Sequence, residues 1–357
     1  IELDAEQIYL VRLEDLPLAA YDGRVAGLAA TSPRLMGVRK LNPLSPESQA
    51  YRDFLLQKQA AFLDRLESEL GRRVPVRYQY YAANNGLSLF LTAQAAERVR
   101  GLPGVVFIQP NFTRQLDTDV SPEWIGATGI WNGTNTGGLP GTKGEGIIIG
   151  VIDTGINPSN PSFADLGGDG YNHTNPKGSG VYVGVCNPAD PSYDPTFACN
   201  DKLIGAWGYD AVNGGDPRDY EGHGSHTAST AAGNAVTASL VGHTISLNRQ
   251  ISGIAPHANI IAYAACCDGD ALTAAIDQVV LDGVDVVNYS IGSASPSSPW
   301  TDFDTVAFLN AREAGVFVST SAGNRGPDPA TTGSPADAPW LMSNAAASHN
   351  RKSTNVL

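Results

Sequence analysis

Ile147-Ile-Ile-Gly-Val-Ile-Asp-Thr-Gly155 begins as an unbroken apolar run and ends on a carboxylate. Such a run suits a strand covered on both faces, as in a parallel sheet held between helices. Asp153 at its end is costly to bury unless it is hydrogen-bonded or has chemistry to perform. Downstream, apolar strands alternate with amphipathic helices: 260–264 reads as strand, 271–281 as helix, 284–288 as strand, 303–314 as helix and 316–319 as strand, with Gly283 and Gly315 closing the two helices. That alternation predicts an α/β domain with a parallel sheet and right-handed crossovers. Ligands of such sheets bind beyond the carboxyl ends of the strands. Asp153, Ser290-Ile291-Gly292 and Ser321-Ala322-Gly323-Asn324 all fall at those ends, and so on one edge.

A second polar centre is Gly222-His223-Gly224-Ser225-His226-Thr227, followed by small residues suited to a helix that packs its backbone closely. Alone, a glycine-flanked histidine is more often a cap or a core residue. Together with a carboxylate after one strand and an amide after another, it fits nucleophilic acyl transfer. Imidazole takes a proton from a hydroxyl, the carboxylate fixes the tautomer, and the Asn324 amide donates to a developing oxyanion. His226 invites a metal reading with His223, but no acidic third ligand follows at helical spacing, so it is read as structural.

The first 117 residues have a different character. They carry 14 Lys+Arg against 13 Asp+Glu, whereas the remainder carries 9 against 23, and this difference indicates two domains, 1–117 and 118–357. The order within the first is strand 8–13, helix from Ser45-Pro46-Glu47 to Gly71, a hairpin across 74–91 turning at Asn84-Asn85-Gly86, helix 93–100 and strand 105–108. Strand-helix-strand-strand-helix-strand is the split pattern of a ferredoxin-like α+β sandwich. Residues 109–145 read as a linker.

The net charge of -13 and the lack of a basic stripe argue against a nucleic-acid partner. No apolar run is long enough for a membrane helix, and the residues from Ile1 onward carry no signal-like stretch, so the compartment is read from the cysteines. Cys186 and Cys199 lie 13 apart in a Gly/Pro/Asn-rich loop without nearby histidines, which favours a disulfide over zinc and an oxidising compartment. Cys266 and Cys267 are read as two buried thiols in preference to a vicinal bridge. Asn111, Asn132 and Asn172 head glycosylation sequons that apply only in a eukaryotic source.

Val151-Ile-Asp-Thr-Gly-Ile156, Gly222-His-Gly-Ser-His-Thr227 and Ser321-Ala-Gly-Asn-Arg-Gly326 resemble, in chain order, the aspartate, histidine and oxyanion motifs of the subtilase family of serine endopeptidases. The resemblance implies Asp153 as orienting acid, His223 as general base and Asn324 as oxyanion donor. It implies a substrate-pairing strand at Ser290, Ile291 and Gly292, with Ser321, Ala322 and Gly323 also lining the substrate site. Residues 1–117 resemble the family's inhibitory propeptide. Leu116-Asp-Thr-Asp-Val-Ser-Pro-Glu-Trp124 resembles the junction before the mature enzyme in the plant-type branch, which implies processing between Asp117 and Thr118. Cys199-Asn-Asp-Lys-Leu-Ile-Gly205 points to the same branch and its bacterial relatives.

One element of the pattern does not occur in these residues: the Gly-Thr-Ser-Met-like segment that supplies the nucleophile. Gly333-Ser334-Pro335 lacks the motif and reads as a turn. The expectation is therefore a secreted subtilisin-like precursor, autoinhibited by its propeptide, acting on polypeptides, with the serine on a further C-terminal portion. These roles need no cofactor, and structural calcium stays open. The rival reading is a catalytically inactive subtilase fold acting as a binding or inhibitor module. Retention of Asp153, His223 and Asn324 together weighs against it. A nucleotide-binding α/β protein is excluded, since the glycines around Gly155 and Gly222 lack GxGxxG or Walker spacing.

Overall fold

The computed structural model describes residues 5–111, 115–116, 123, 125–209, 212–241, 246–293, 295–326 and 328–346. The N-terminal part contains β1 (Gln7–Leu13), α1 (Pro33–Met36), α2 (Pro46–Leu70), β2 (Val76–Tyr80), β3 (Gly86–Leu91), α3 (Ala93–Arg100) and β4 (Val105–Pro110). Its sheet has the order β2-β3-β1-β4, antiparallel throughout, which is the expected ferredoxin-like arrangement. The local signals act as chemistry dictates. Ser45 Oγ accepts from Ser48 N at 3.2 Å, Pro46 occupies the first helical position, and Gly71 closes α2. Phe62 and Leu66 of α2 pack with Val11, Leu87, Leu89 and Val99 in this domain's own core.

The second part contributes β5 (Gln115–Leu116), α4 (Ala127–Trp131), β6 (Ile148–Asp153), β7 (Val183–Gly184), β8 (Leu203–Gly208), α5 (His223–Ala232), β9 (Val236–Val241), β10 (Ser246–Ile251), β11 (Asn259–Ala264), α6 (Gly269–Asp282), β12 (Val286–Tyr289), β13 (Ile291–Gly292), α7 (Phe303–Glu313), β14 (Phe317–Ser321) and β15 (Met342–Asn344). Seven of these strands form a sheet in the order β15-β14-β12-β6-β11-β8-β7, every neighbouring pair parallel. All six residues of β6 are buried, as its apolar run requires. The stretch read as linker holds α4, a helix too short and too glycine-interrupted to leave a periodic pattern. It is pinned where Trp131 Nε1 donates to Ile254 O at 2.8 Å.

The two parts share a core. Tyr51, Leu55, Ala82 and Ala83 from the first pack with Leu272, Ala275, Ile276, Phe308 and Ala311 of α6 and α7. At the seam, the buried carboxylate of Asp277 on α6 accepts from the backbone N–H groups of Tyr81, Ala82, Ala83 and Asn84 at 3.4, 2.9, 2.6 and 3.3 Å. Asn310 of α7 donates to Ala83 O at 2.7 Å. One irregular loop of the N-terminal domain is thus hydrogen-bonded from two helices.

Cys186 and Cys199 form the expected disulfide, their Cα atoms 5.8 Å apart. Cys266 and Cys267 correct the thiol reading: they are paired, with Cα atoms 2.9 Å apart across a cis peptide. Gly333-Ser334-Pro335 is a turn, in which Ser334 Oγ accepts from Ser297 N at 2.8 Å. Among the described residues no helix is long and apolar enough to cross a membrane, and no group of His, Cys, Asp and Glu is arranged to hold a metal ion.

Candidate active site

The carboxyl end of β6 delivers Asp153, whose side chain is wholly buried, to the N-terminus of α5, which opens on His223. Two glycines permit the meeting. Gly222 adopts φ 104°, a conformation costly for other residues. Gly224 lies so close to the strand end that an added Cβ would sit 2.2 Å from Gly155 O. His223 Nδ1 is then 2.8 Å from Asp153 Oδ1. Thr154 N donates to the same oxygen at 2.8 Å, and Thr227 Oγ1, one helical turn after His223, donates to Asp153 Oδ2 at 3.0 Å. Three donors compensate the buried carboxylate. Because a carboxylate only accepts, the arrangement places the imidazole proton on Nδ1 and makes Nε2 the basic nitrogen.

The other clusters lie on the same sheet edge. Ser290 follows β12 directly, and Asn288 Nδ2 donates to its Oγ at 3.0 Å. Ile291 and Gly292 form β13, which pairs antiparallel with β5 through Ile291↔Leu116 and Gly292↔Gln115. The tail of the N-terminal domain therefore runs along the segment that sequence reasoning assigned to substrate pairing. Asn111, four residues before β5, donates to Asp268 at the start of α6. Asp117 and Thr118, the expected processing site, lie outside the described residues.

Ser321, Ala322, Gly323 and Asn324 leave β14. Ala322 N donates to Asn344 O at 2.8 Å and Gly323 N to Ser321 Oγ at 3.1 Å, while Asn324 is exposed. Arg325 ties this loop to the end of β13 by donating to Ser293 O at 3.1 Å. His226 takes no part in the carboxylate network; its N–H and carbonyl serve α5.

Sequence reasoning missed the groups behind the pair. Asp219 accepts from Gly222 N, Ser225 N, Ser225 Oγ and Thr154 Oγ1 at 2.7, 2.7, 2.6 and 2.9 Å. Burial raises the Asp219 carboxyl, but these hydrogen bonds outweigh it and hold the group below the usual carboxylate range. The available signal was an acid four residues before a helix-opening histidine.

The structure thus combines a parallel-sheet domain carrying an aspartate–histidine pair at one strand edge with a preceding ferredoxin-like domain whose tail pairs at that edge. Comparison with known families specifies it. The subtilase family model matches residues 144–355, and the peptidase inhibitor I9 model matches residues 40–117. The chain belongs to the subtilase family. It is 38% identical over 277 residues to subtilisin-like protease SBT4.13 of Arabidopsis thaliana, covering 76% of this chain and 35% of that protein. To subtilisin-like protease SBT2.1 of the same plant it is 34% identical over 382 residues, covering 98% and 42%. The chain thus spans well under half the length of these relatives. Among solved structures, fervidolysin from Fervidobacterium pennivorans, described as a keratinolytic enzyme related to subtilisin, shares the fold at a TM-score of 0.52 and 18% identity, over 95% of this chain and 43% of that one.

Proposed function

We propose that the full-length protein is a secreted serine endopeptidase, held inactive by residues 1–117. His223 acts as general base, Asp153 orients it and stabilises the imidazolium, and the Asn324 amide donates to the oxyanion. Polypeptide substrates pair with Ser290, Ile291 and Gly292 as an added strand, with Ser321, Ala322 and Gly323 lining the reacting end. The nucleophilic serine is supplied by a portion beyond residue 357, since residues 1–357 contain no segment of the nucleophile motif. The Cys186–Cys199 disulfide supports an oxidising, extracellular setting.

The observation that carries this reading is the pairing of β5 with β13 on the edge where Asp153 meets His223. A tail lying as a strand in that position occupies the place of an extended substrate, and processing between Asp117 and Thr118 would fall one residue past the paired Leu116. The test is proteolysis of an extended peptide library by the full-length protein before and after removal of residues 1–117. Cleavage that appears on removal and is suppressed when the N-terminal domain is added back is the expected result. Equal cleavage with and without that domain overturns the inhibitory role, and no cleavage in either state overturns the peptidase reading.

A further inference from the structure

Asp219 sits in the loop before α5 and belongs to none of the motifs that identify the site. Its carboxylate nevertheless joins three separate pieces of the active centre. It accepts from Gly222 N at 2.7 Å and from Glu221 N at 3.2 Å, the loop that turns into α5. It accepts from Ser225 N at 2.7 Å and Ser225 Oγ at 2.6 Å, in the first turn of α5. It also accepts at 2.9 Å from Thr154 Oγ1, on the residue next to Asp153. Thr154 completes the tie, because the same Oγ1 accepts from Gly224 N at 2.7 Å.

The backbone around Asp219 is tied to the same strand end. Asp219 N donates to Ile156 O at 3.2 Å and Ile156 N to Pro217 O at 3.0 Å. Ser225 Oγ, besides donating to Asp219, accepts from Asn157 N at 2.9 Å. Two rigid elements, β6 and α5, each carry one member of the proton-transfer pair. A shared carboxylate that bonds to both fixes their relative position without contacting the imidazole. A negative charge before the first turn of a helix is also favourably placed against its unpaired N–H groups.

We propose that Asp219 is a positioning residue for the Asp153–His223 pair: through Thr154, Gly222 and Ser225 it sets the distance and angle at which His223 Nδ1 meets Asp153 Oδ1. This rests on the peptidase reading for its catalytic consequence, but its structural consequence can be measured without turnover. Misplacement by about 1 Å at a reacting pair is enough to cost roughly a hundredfold in rate.

The experiment compares the full-length protein with its D219A, D219N and T154V variants, and with T154S as the conservative control that keeps the hydroxyl. One-dimensional proton NMR reads the low-field Nδ1–H resonance of His223, and 15N-labelled histidine reads its titration, with His223→Gln used for assignment. Expected in D219A, D219N and T154V are loss or displacement of the low-field resonance and a shifted His223 titration midpoint, with T154S like the wild type. If the protein is a peptidase, kcat falls about tenfold to a hundredfold while KM stays within about twofold. Should D219A fail to fold, T154V still breaks the link to β6 and carries the test. A folded D219N and T154V with unchanged His223 resonance and titration overturn the proposal. A wild type without turnover but with these NMR shifts overturns the peptidase reading alone and leaves the positioning role standing.

Discussion

His223 Nδ1 lies 2.8 Å from Asp153 Oδ1, although the two residues are 70 positions apart in the chain and sit on different kinds of element. The bond favours the tautomer with the proton on Nδ1, which leaves the lone pair on Nε2. Asp153→Asn keeps the shape but presents an amide that stabilises the wrong tautomer. The expected outcome, measured on the full-length protein freed of its N-terminal domain, is a fall in kcat of about 10⁴, the size known for that substitution in a Ser-His-Asp triad, with KM little changed. A variant retaining most of its turnover removes Asp153 from the mechanism.

Asn324 stands on the exposed loop after β14, and the same loop is tied to β13 by Arg325. The oxyanion role proposed for it would act on the transition state and not on bound substrate. Asn324→Ala is expected to lower kcat by about 10² to 10³, a magnitude carried over from the oxyanion asparagine of subtilisin itself. Steady-state kinetics separates the cases: a rise in KM at constant kcat assigns Asn324 to ground-state binding instead.

The two-domain plan and the sheet edge were legible because each rests on a strong local signal. The apolar run into Asp153 suits a doubly covered strand, and Ser45-Pro46 and Gly71 bracket α2 by cap chemistry. The short α4 left no periodic pattern to find. Asp219 and Asp277 were invisible for a different reason. Their importance comes from what the fold brings to them, namely the amides of a helix start and of a loop from the other domain. A carboxylate in a sequence does not say which backbone N–H groups it will meet. Whether Cys266 and Cys267 are paired is likewise not written in their adjacency, which suits two thiols as well as a bridge.

Asp277 predicts how the N-terminal domain is held. Its carboxylate takes four backbone N–H groups of residues 81–84, so removing it leaves those donors unpaired in a buried seam. With the chain nicked between the domains, Asp277→Ala is expected to weaken retention of residues 1–117 by about tenfold to a hundredfold, as hydrogen bonds to a charged group are worth about 1.5–3 kcal/mol. Burial lifts the Asp277 carboxyl to about 6 against the opposing pull of the same amides. Because the docked form holds the proton more tightly than a solvated aspartate would, this group favours docking most at low pH, and the contribution is lost as pH rises through about 6. Dissociation constants should therefore rise from pH 5 to pH 7 in the wild type and stay flat for this group in Asp277→Asn. An identical slope in the variant assigns the effect elsewhere.

His257 provides a pH prediction for the fold itself. Its ring is stacked on Tyr171 at 3.8 Å, with Nδ1 2.6 Å from Glu145 Oε1 and Nε2 2.9 Å from Asp169 Oδ2. Both ring nitrogens face carboxylate acceptors. Lys143 adds an ion pair to Asp169 at 3.1 Å, and His257 N donates to Lys143 O, so the cluster fastens the segment leading into β6 to the loop before β11. Burial raises both carboxyls, but hydrogen bonds from Thr142 and His257 to Glu145, and from His257 and Lys143 to Asp169, bring each down to about 2. The sign follows from that depression: a carboxylate lowered on folding contributes stability above its unfolded value near pH 4, and the contribution is lost as pH falls through about 2. Thermal melts between pH 6 and pH 2 are expected to show a loss of stability concentrated below pH 4. His257→Gln removes the ring that contacts both carboxylates while keeping a hydrogen-bonding side chain, so the two carboxylates should protonate at higher pH and the acid limb of the stability curve should move upward. A His257→Gln curve that overlays the wild type below pH 5 would show that the cluster does not fasten these segments.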